Sequence, residues 1–207
     1  MKKGVDGKVE RYKVRLAAKR YSQMESIDYH EIFPSVVKLV SIHIVLAIVA
    51  LLDLELEQLD VKTTFLHGDL DDEIYMEQPE GFVQHQKGRL VCKLKKSLYG
   101  LKQSPRQWYK KFDSFMVSQG YTRSEYDHCL YSKKLNDIFI ILVLYVDDML
   151  IVSKSMDEIN RLKAQMARNF DMKDLGAAKQ ILGIEIHRDK RNGKLSFHMR
   201  SMLRKYL

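Results

Sequence analysis

Cysteine is scarce in this sequence: Cys92 and Cys129 stand apart, with no Cys-x-x-Cys pair and no dense framework. A disulfide-stapled fold is therefore excluded, and a reducing compartment is the expectation. Long apolar runs are missing too. The longest, Leu39 to Leu52, covers about 14 residues, includes His43, and falls short of the roughly 20 that a bilayer span needs. It reads as a buried helix. The N-terminal Met-Lys-Lys-Gly-Val-Asp-Gly lacks the apolar stretch of a signal peptide. With no targeting signal in view, an intracellular, non-secreted protein without a membrane partner is expected. There is no Pro/Gly/Ser-rich linker and no fixed-period repeat, so disorder does not dominate, and 207 residues suit one domain or two small ones.

What is present is enough apolar material for a core, 45% of residues, with 30% charged. Lys and Arg outnumber Asp and Glu by 35 to 27, a formal net charge of +8. Each basic side chain near a phosphate releases a condensed counterion, so the excess favours a polyanionic partner. Charge alone fits a basic protein with no such partner equally well.

Patterning along the chain predicts a series of elements. Asp6-Gly7 is a strong turn dipeptide, and after it Tyr12, Val14 and Leu16 alternate with Arg11, Lys13 and Arg15. That predicts a hairpin over residues 5–19 with one apolar and one basic face. Residues 41–52 read as a helix capped by Ser41, with Ile42, Val45, Leu46 and Val49 at helical spacing. Residues 54–66 read as a strand entering a turn, 68–73 as an acidic turn, and 90–94 as a short strand. Ser104 at the cap, Pro105 at the first helical position and the stripe Trp108, Phe112, Phe115, Met116 predict a helix over 104–119, stopped by Gly120. Ser155 and Glu158 form a capping-box pattern before Ile159, Leu162, Met166 and Phe170. A last hairpin is expected around Asn192-Gly193, with Ile184 and Ile186 on one arm and Leu195 and Phe197 on the other. The order of strand pairs and helices predicts an α+β protein, an antiparallel sheet with helices packed on one face.

The apolar β-prone runs 138–144 and 149–152 flank Asp147-Asp148, which predicts a hairpin with carboxylates at its tip. Aspartate is depleted in strands, and adjacent carboxylates repel and are costly to desolvate. A hard cation relieves both problems, and magnesium needs only one or two protein carboxylates per ion. A solvated Asp-Asp turn explains the pair as well. Asp60, ending the strand-like segment, supplies a third acid. Three carboxylates at neighbouring strand ends suit two metal ions and in-line nucleotidyl transfer.

The segments Leu59-Asp60-Val61-Lys62-Thr63-Thr64-Phe65-Leu66, Ser97-Leu98-Tyr99-Gly100-Leu101-Lys102-Gln103-Ser104-Pro105-Arg106-Gln107-Trp108 and Tyr145-Val146-Asp147-Asp148 occur in this order. So do Gln78-Pro79-Glu80-Gly81-Phe82, Asp174-Leu175-Gly176 and Ile181-Leu182-Gly183-Ile184-Glu185-Ile186. Together they closely resemble the polymerase motifs of copia-type retrotransposon reverse transcriptases, across essentially the whole chain. The resemblance implies a polymerase palm with partial fingers: 1–38 partial fingers, 39–190 mainly palm, and 191–207 the start of the primer-grip and thumb region. It implies RNA-directed DNA polymerase activity with two Mg2+ ions (Mn2+ as substitute), deoxynucleoside triphosphates, an RNA template and a DNA or RNA primer. The expected setting is a cytoplasmic virus-like particle or the nucleus.

The resemblance also implies roles. Asp60 and Asp147 would bear most of the metal coordination, with Asp148 supporting and the Val61 carbonyl alongside. Phe65 resembles a steric gate against the ribose 2′-hydroxyl, though an ordinary core aromatic fits the position too. Lys13, Arg15 and Lys19 resemble basic fingers residues that meet the triphosphate, and a solvated strand face would look the same. Gly100 and Lys102 resemble nucleotide-binding positions, and Ser104 and Pro105 positions beneath the template. Tyr145, Leu182 and Gly183 resemble primer and template contacts. The chain departs from the pattern at Arg20, where glycine is usual after Ala18-Lys19, and at Pro34-Ser35, where the order is usually reversed. The pattern would extend beyond both ends, so a fragment is expected. The alternative to an active polymerase is an inactive remnant that only binds nucleic acid.

Overall fold

A computed structural model describes residues 2–3, 9–11, 15–24, 26–27, 29, 34–84, 90–190 and 192–199. In chain order its elements begin with β1 (Lys2–Lys3), β2 (Val9–Arg11), α1 (Leu39–Leu51), β3 (Glu55–Val61), β4 (Tyr75–Glu77) and β5 (Val91–Lys93). Next come α2 (Ser104–Ser118), β6 (Thr122–Arg123), β7 (Leu130–Leu135), β8 (Ile138–Tyr145), β9 (Asp148–Ser153) and α3 (Met156–Ala167). The chain closes with β10 (Met172–Ala177), β11 (Gln180–Ile181), β12 (Ile184–Asp189) and β13 (Lys194–Met199). Antiparallel sheets and three α-helices among the described residues match the α+β expectation. None of these helices is long and apolar enough to cross a membrane.

Two compact units share the chain, Met1–Phe33 with Phe65–Trp108, and Pro34–Thr64 with Tyr109–Leu207. In the first, β1 pairs with β2 and β4 with β5. The expected Asp6-Gly7 turn, and Tyr12, Lys13 and Val14, lie outside the described residues. Residues 15–16 are not in a strand and Leu16 is exposed, so the apolar alternation does not extend that far. The chain pairs instead at Ala17, which bridges to Tyr99, and the Ala18 N–H donates to the Tyr99 carbonyl at 2.7 Å.

The second unit holds a six-stranded antiparallel sheet, order β10-β3-β9-β8-β7-β6, and a three-stranded one, β11-β12-β13. Residues directly opposite in an antiparallel pair share a face. Leu59, Val61, Met149, Ile151, Leu142, Leu144 and Tyr131 therefore share one face, and each is at most 2% exposed. Helices α2 and α3 cover that face. Phe112 of α2 packs edge-on against Tyr131 and beside Phe170, and Lys163 of α3 donates to Glu57 and Asp174 at 2.8 Å each. Burial would lower the Lys163 pKa, but the bonds to Asp174 and Glu57 outweigh it and the net direction is upward.

The helices form as the periodicity predicts, but two of the expected caps differ and the third is half formed. Ser41 lies inside α1, and its hydroxyl donates to Asp127 at 2.6 Å. The Lys38 N–H donates to the same carboxylate oxygen at 2.8 Å, so the N-terminus of α1 is capped by a residue far along the chain. The Ser104 hydroxyl donates to the Leu98 carbonyl at 2.7 Å and ties down the preceding loop. Ser155 does cap α3, accepting from the Glu158 N–H, but Glu158 turns to Arg161 and completes no reciprocal box.

Phe112 is fully buried, so Phe112→Ala should cost about 3–5 kcal/mol through the cavity left against Tyr131 and Phe170. The half-buried Phe115→Ala should cost less. Urea unfolding of both variants checks the order.

Candidate active site

β8 and β9 meet in a two-residue turn, Val146-Asp147, so Tyr145 lies directly opposite Asp148. Asp148 is thus the first residue of β9, and Asp147 alone occupies the tip beside Val146. Val146 has φ of 54°, the left-handed region that a β-branched residue rarely adopts. Thr63, just past β3 at the same sheet end, has φ of 52°. Such backbone costs on the order of 1–3 kcal/mol per residue and persists only where its surroundings enforce it. One enforcing contact is visible: the Val61 N–H donates to the Asp147 carbonyl at 2.8 Å.

Register then brings the acids together. Asp60 is the direct partner of Asp148 across β3 and β9, so the two lie side by side on the face opposite α2 and α3. Asp147 is exposed, and Asp60 and Asp148 are half-buried. The Asp148 carboxyl is pushed above its ordinary pKa, first by burial, then by the charges of Asp147 and Asp60, against a hydrogen bond from Gln58. The Gln58 Nε2 donates to Asp148 Oδ1 at 3.3 Å. The Val61 carbonyl accepts from the Thr64 hydroxyl at 2.9 Å, which uses one of its two lone pairs.

Among the described residues, no group of three or more His, Cys, Asp or Glu side chains is gathered closely enough to cage a metal ion. The three aspartates share a sheet end without closing on one point. As a donor set they still fit a hard divalent cation: the oxygens are all carboxylate, and the charges of Asp147 and Asp60 add to the burial that raises Asp148.

A groove of about 490 Å³ opens beside Asp148. Tyr145, Leu182 and Gly183 line it, together with Gln58 and Lys179. Leu182-Gly183 is the two-residue turn between β11 and β12, with φ of 52° and 74°. Positive φ at both positions is the signature of the tightest hairpin turn. Of the candidate residues in this unit, Asp60, Val61, Asp147, Asp148, Tyr145, Leu182 and Gly183 therefore gather at one end of the sheet and its groove.

The first unit holds the remaining candidates. Phe65 packs edge-on against Tyr99, ring centroids 5.3 Å apart, and the Arg15 guanidinium lies 5.5 Å from the same ring's centre. Gly100 has φ of 90°, and a Cβ there would meet the Ala18 carbonyl oxygen at 2.1 Å. The close approach that this glycine permits is thus made by the protein's own backbone. The Lys102 ammonium donates to the Tyr29 hydroxyl at 2.8 Å and to the Gln23 carbonyl at 3.3 Å. Lys19 is exposed, Pro105 half-buried and Ser104 fully buried. Lys13 lies outside the described residues.

Gln58 and Lys179 were not singled out by the sequence. Gln58 had a signal: it is an amide at the apolar phase of the strand, two residues after Leu56 and two before Asp60.

Residues 1–205 match the family described as Reverse transcriptase (RNA-dependent DNA polymerase). The chain belongs to this family, as a reverse transcriptase segment of the copia type. It is 58% identical over 196 residues to the retrovirus-related Pol polyprotein from transposon TNT 1-94 of Nicotiana tabacum, covering 94% of this chain and 15% of that protein. It is 38% identical over 183 residues to the corresponding polyprotein from transposon RE1 of Arabidopsis thaliana, covering 88% of this chain and 12% of that protein. A putative transposon Ty5-1 protein of Saccharomyces cerevisiae is 34% identical over 147 residues, 71% of this chain and 47% of that protein. The chain thus spans under a sixth of the two plant polyproteins. No solved structure matches it.

A folded-state pKa raised above the unfolded value means that ionised Asp148 costs the fold stability at neutral pH, a cost that fades as pH falls through that pKa. Asp148→Asn in metal-free buffer should therefore raise Tm at pH 7, with the gain shrinking on acidification. Calorimetry across that pH range checks it, and a gain independent of pH would contradict the assigned cause.

Proposed function

We propose that this chain is the RNA-directed DNA polymerase domain of a copia-type retrotransposon, transferring a nucleotide from a deoxynucleoside triphosphate to a primer 3′-hydroxyl on an RNA template. The carrying observation is the β3–β9 register, which sets Asp60 opposite Asp148 and ties Asp147 to Val61 beside a groove. The family match across the chain supports the same chemistry.

Asp60 and Asp147 would hold most of a pair of Mg2+ ions, with Asp148 supporting, the remaining Val61 lone pair alongside, and Mn2+ as the substitute. When bound, such ions neutralise charge on the triphosphate and make the primer hydroxyl easier to deprotonate. The protein's part is positioning. Central strands hold the carboxylates, and the groove walls at Tyr145, Leu182 and Gly183 offer a seat for the primer end and template. In the first unit, Phe65 braced by Tyr99 would exclude a ribose 2′-hydroxyl, and Arg15, Lys19 and Lys13 would meet the triphosphate. Gly100, Lys102, Ser104 and Pro105 belong to the segment assigned to nucleotide and template. In this proposal residues 1–38 are partial fingers, 39–190 mainly palm and 191–207 the start of the primer-grip and thumb region. Because deoxynucleoside triphosphates are intracellular, the working place is a cytoplasmic particle or the nucleus.

Primer extension on an RNA template with Mg2+ tests the proposal. Asp60→Asn and Asp147→Asn should each lower incorporation at least about a hundredfold, the scale of losing one preorganised electrostatic contact. Folded wild-type protein that binds primer–template yet incorporates nothing with Mg2+ or Mn2+ would instead be the nucleic-acid-binding remnant.

A further inference from the structure

On β3, the positions sharing a face with Asp60 are Leu56 and Gln58, and with Leu54 just before the strand each is no more than 7% exposed. Leu54 and Leu56 are ordinary core residues. Gln58 puts an amide where the pattern calls for an apolar side chain, and a buried amide is tolerated when it is hydrogen-bonded. Its partner is Asp148: Nε2 donates to Oδ1 at 3.3 Å. A carboxylate can only accept, so the amide nitrogen must face it.

Gln58 is also held firmly. Its backbone lies in an interior strand, opposite Leu150 on β9 and opposite Gly176 on β10. β10 bulges between Asp174 and Gly176, and no atom lies within 4 Å of where a Cβ of Gly176 would stand. Leu175 and Ala177, the chain neighbours of that glycine, line the groove together with Gln58 and Asp148. A fixed donor on a central strand thus grips one oxygen of an acid at the sheet end.

We infer that Gln58 is a positioning residue, which fixes the Asp148 carboxylate in one orientation toward the groove so that the aspartates present a preorganised donor set to divalent cations. This rests on the polymerase assignment proposed above. Gln58 touches no reacting atom and acts through Asp148. Its length matters as well as its chemistry: asparagine keeps the amide but is one methylene short of the acid.

The test uses the full chain with Mn2+ as probe, its affinity read by water-proton relaxation, alongside thermal unfolding and primer extension. Gln58→Met, of similar length but without a donor, should keep the wild-type Tm or exceed it. It should weaken Mn2+ binding about 10–100-fold, as loss of a residue that orients a metal ligand does. It should also lower kcat while leaving KM for the deoxynucleoside triphosphate near its wild-type value. Gln58→Asn should weaken Mn2+ binding in the same way, and it decides the question if the methionine variant fails to fold. Gln165→Met on α3 should change neither quantity. Unaltered Mn2+ affinity in folded Gln58 variants, or a wild-type chain that binds no Mn2+, overturns the inference. If wild type binds Mn2+ but extends no primer, the polymerase assignment fails by itself, and the affinity comparison still decides the role of Gln58.

Discussion

Pairing β3 with β9 in one particular register sets Asp60 opposite Asp148 and, one step further, ties the Val61 N–H to the Asp147 carbonyl. Side chains alternate faces along a strand, so a slip of one residue would send Asp60 into the α2–α3 side and expose Leu59. Burial enforces the choice. Leu59 and Met149 on one face, and Leu56 and Leu150 on the other, are at most 5% exposed. Polar pins act from both sides of β3, where Glu57 is bound by Lys163 and Gln58 reaches Asp148. The hydrophobic effect therefore sets the alignment, and the hydrogen bonds make it exclusive.

Against that stiff background the sheet end can carry features that would be liabilities elsewhere. Three like charges gather there, and burial combined with their mutual repulsion pushes the Asp148 carboxyl upward. Thr63 and Val146 hold left-handed backbone that glycine would adopt more easily. Charge crowding and backbone strain thus coincide where the proposed chemistry takes place, as expected of a site shaped for binding at some cost to stability.

Much of this was legible in the chain. Ile138 to Leu144 and Met149 to Val152 read as two arms around an acid pair because continuous β-prone apolar residues leave few other options. The α2 stripe of Trp108, Phe112 and Met116 was equally plain, and all three are buried. Other strands were hidden for physical reasons. β10 runs Met-Lys-Asp-Leu-Gly-Ala, with two residues that strands disfavour, and it forms because β3 offers an edge to pair with. β7 is interrupted by Lys133 and Lys134, whose positions make sense only beside β8. The caps were misassigned because Asp127 and Leu98 become neighbours of Ser41 and Ser104 only in the folded chain. In the candidate site, motif order pointed to the three aspartates. The Gln58 contact, between residues 90 positions apart, needed the register to become visible.

That separation bears on how the molecule comes into being. β3 pairs on both sides with strands made much later, β9 and β10, so its two edges wait through the synthesis of a long intervening stretch. Neither compact unit is a continuous stretch, so neither can close while only its first segment has left the ribosome. Assembly dominated by such distant pairings is slow and leaves an apolar strand uncovered in the meantime. During translation, the piece of backbone carrying Asp60 and Gln58 is therefore the one most exposed to mispairing with other nascent chains.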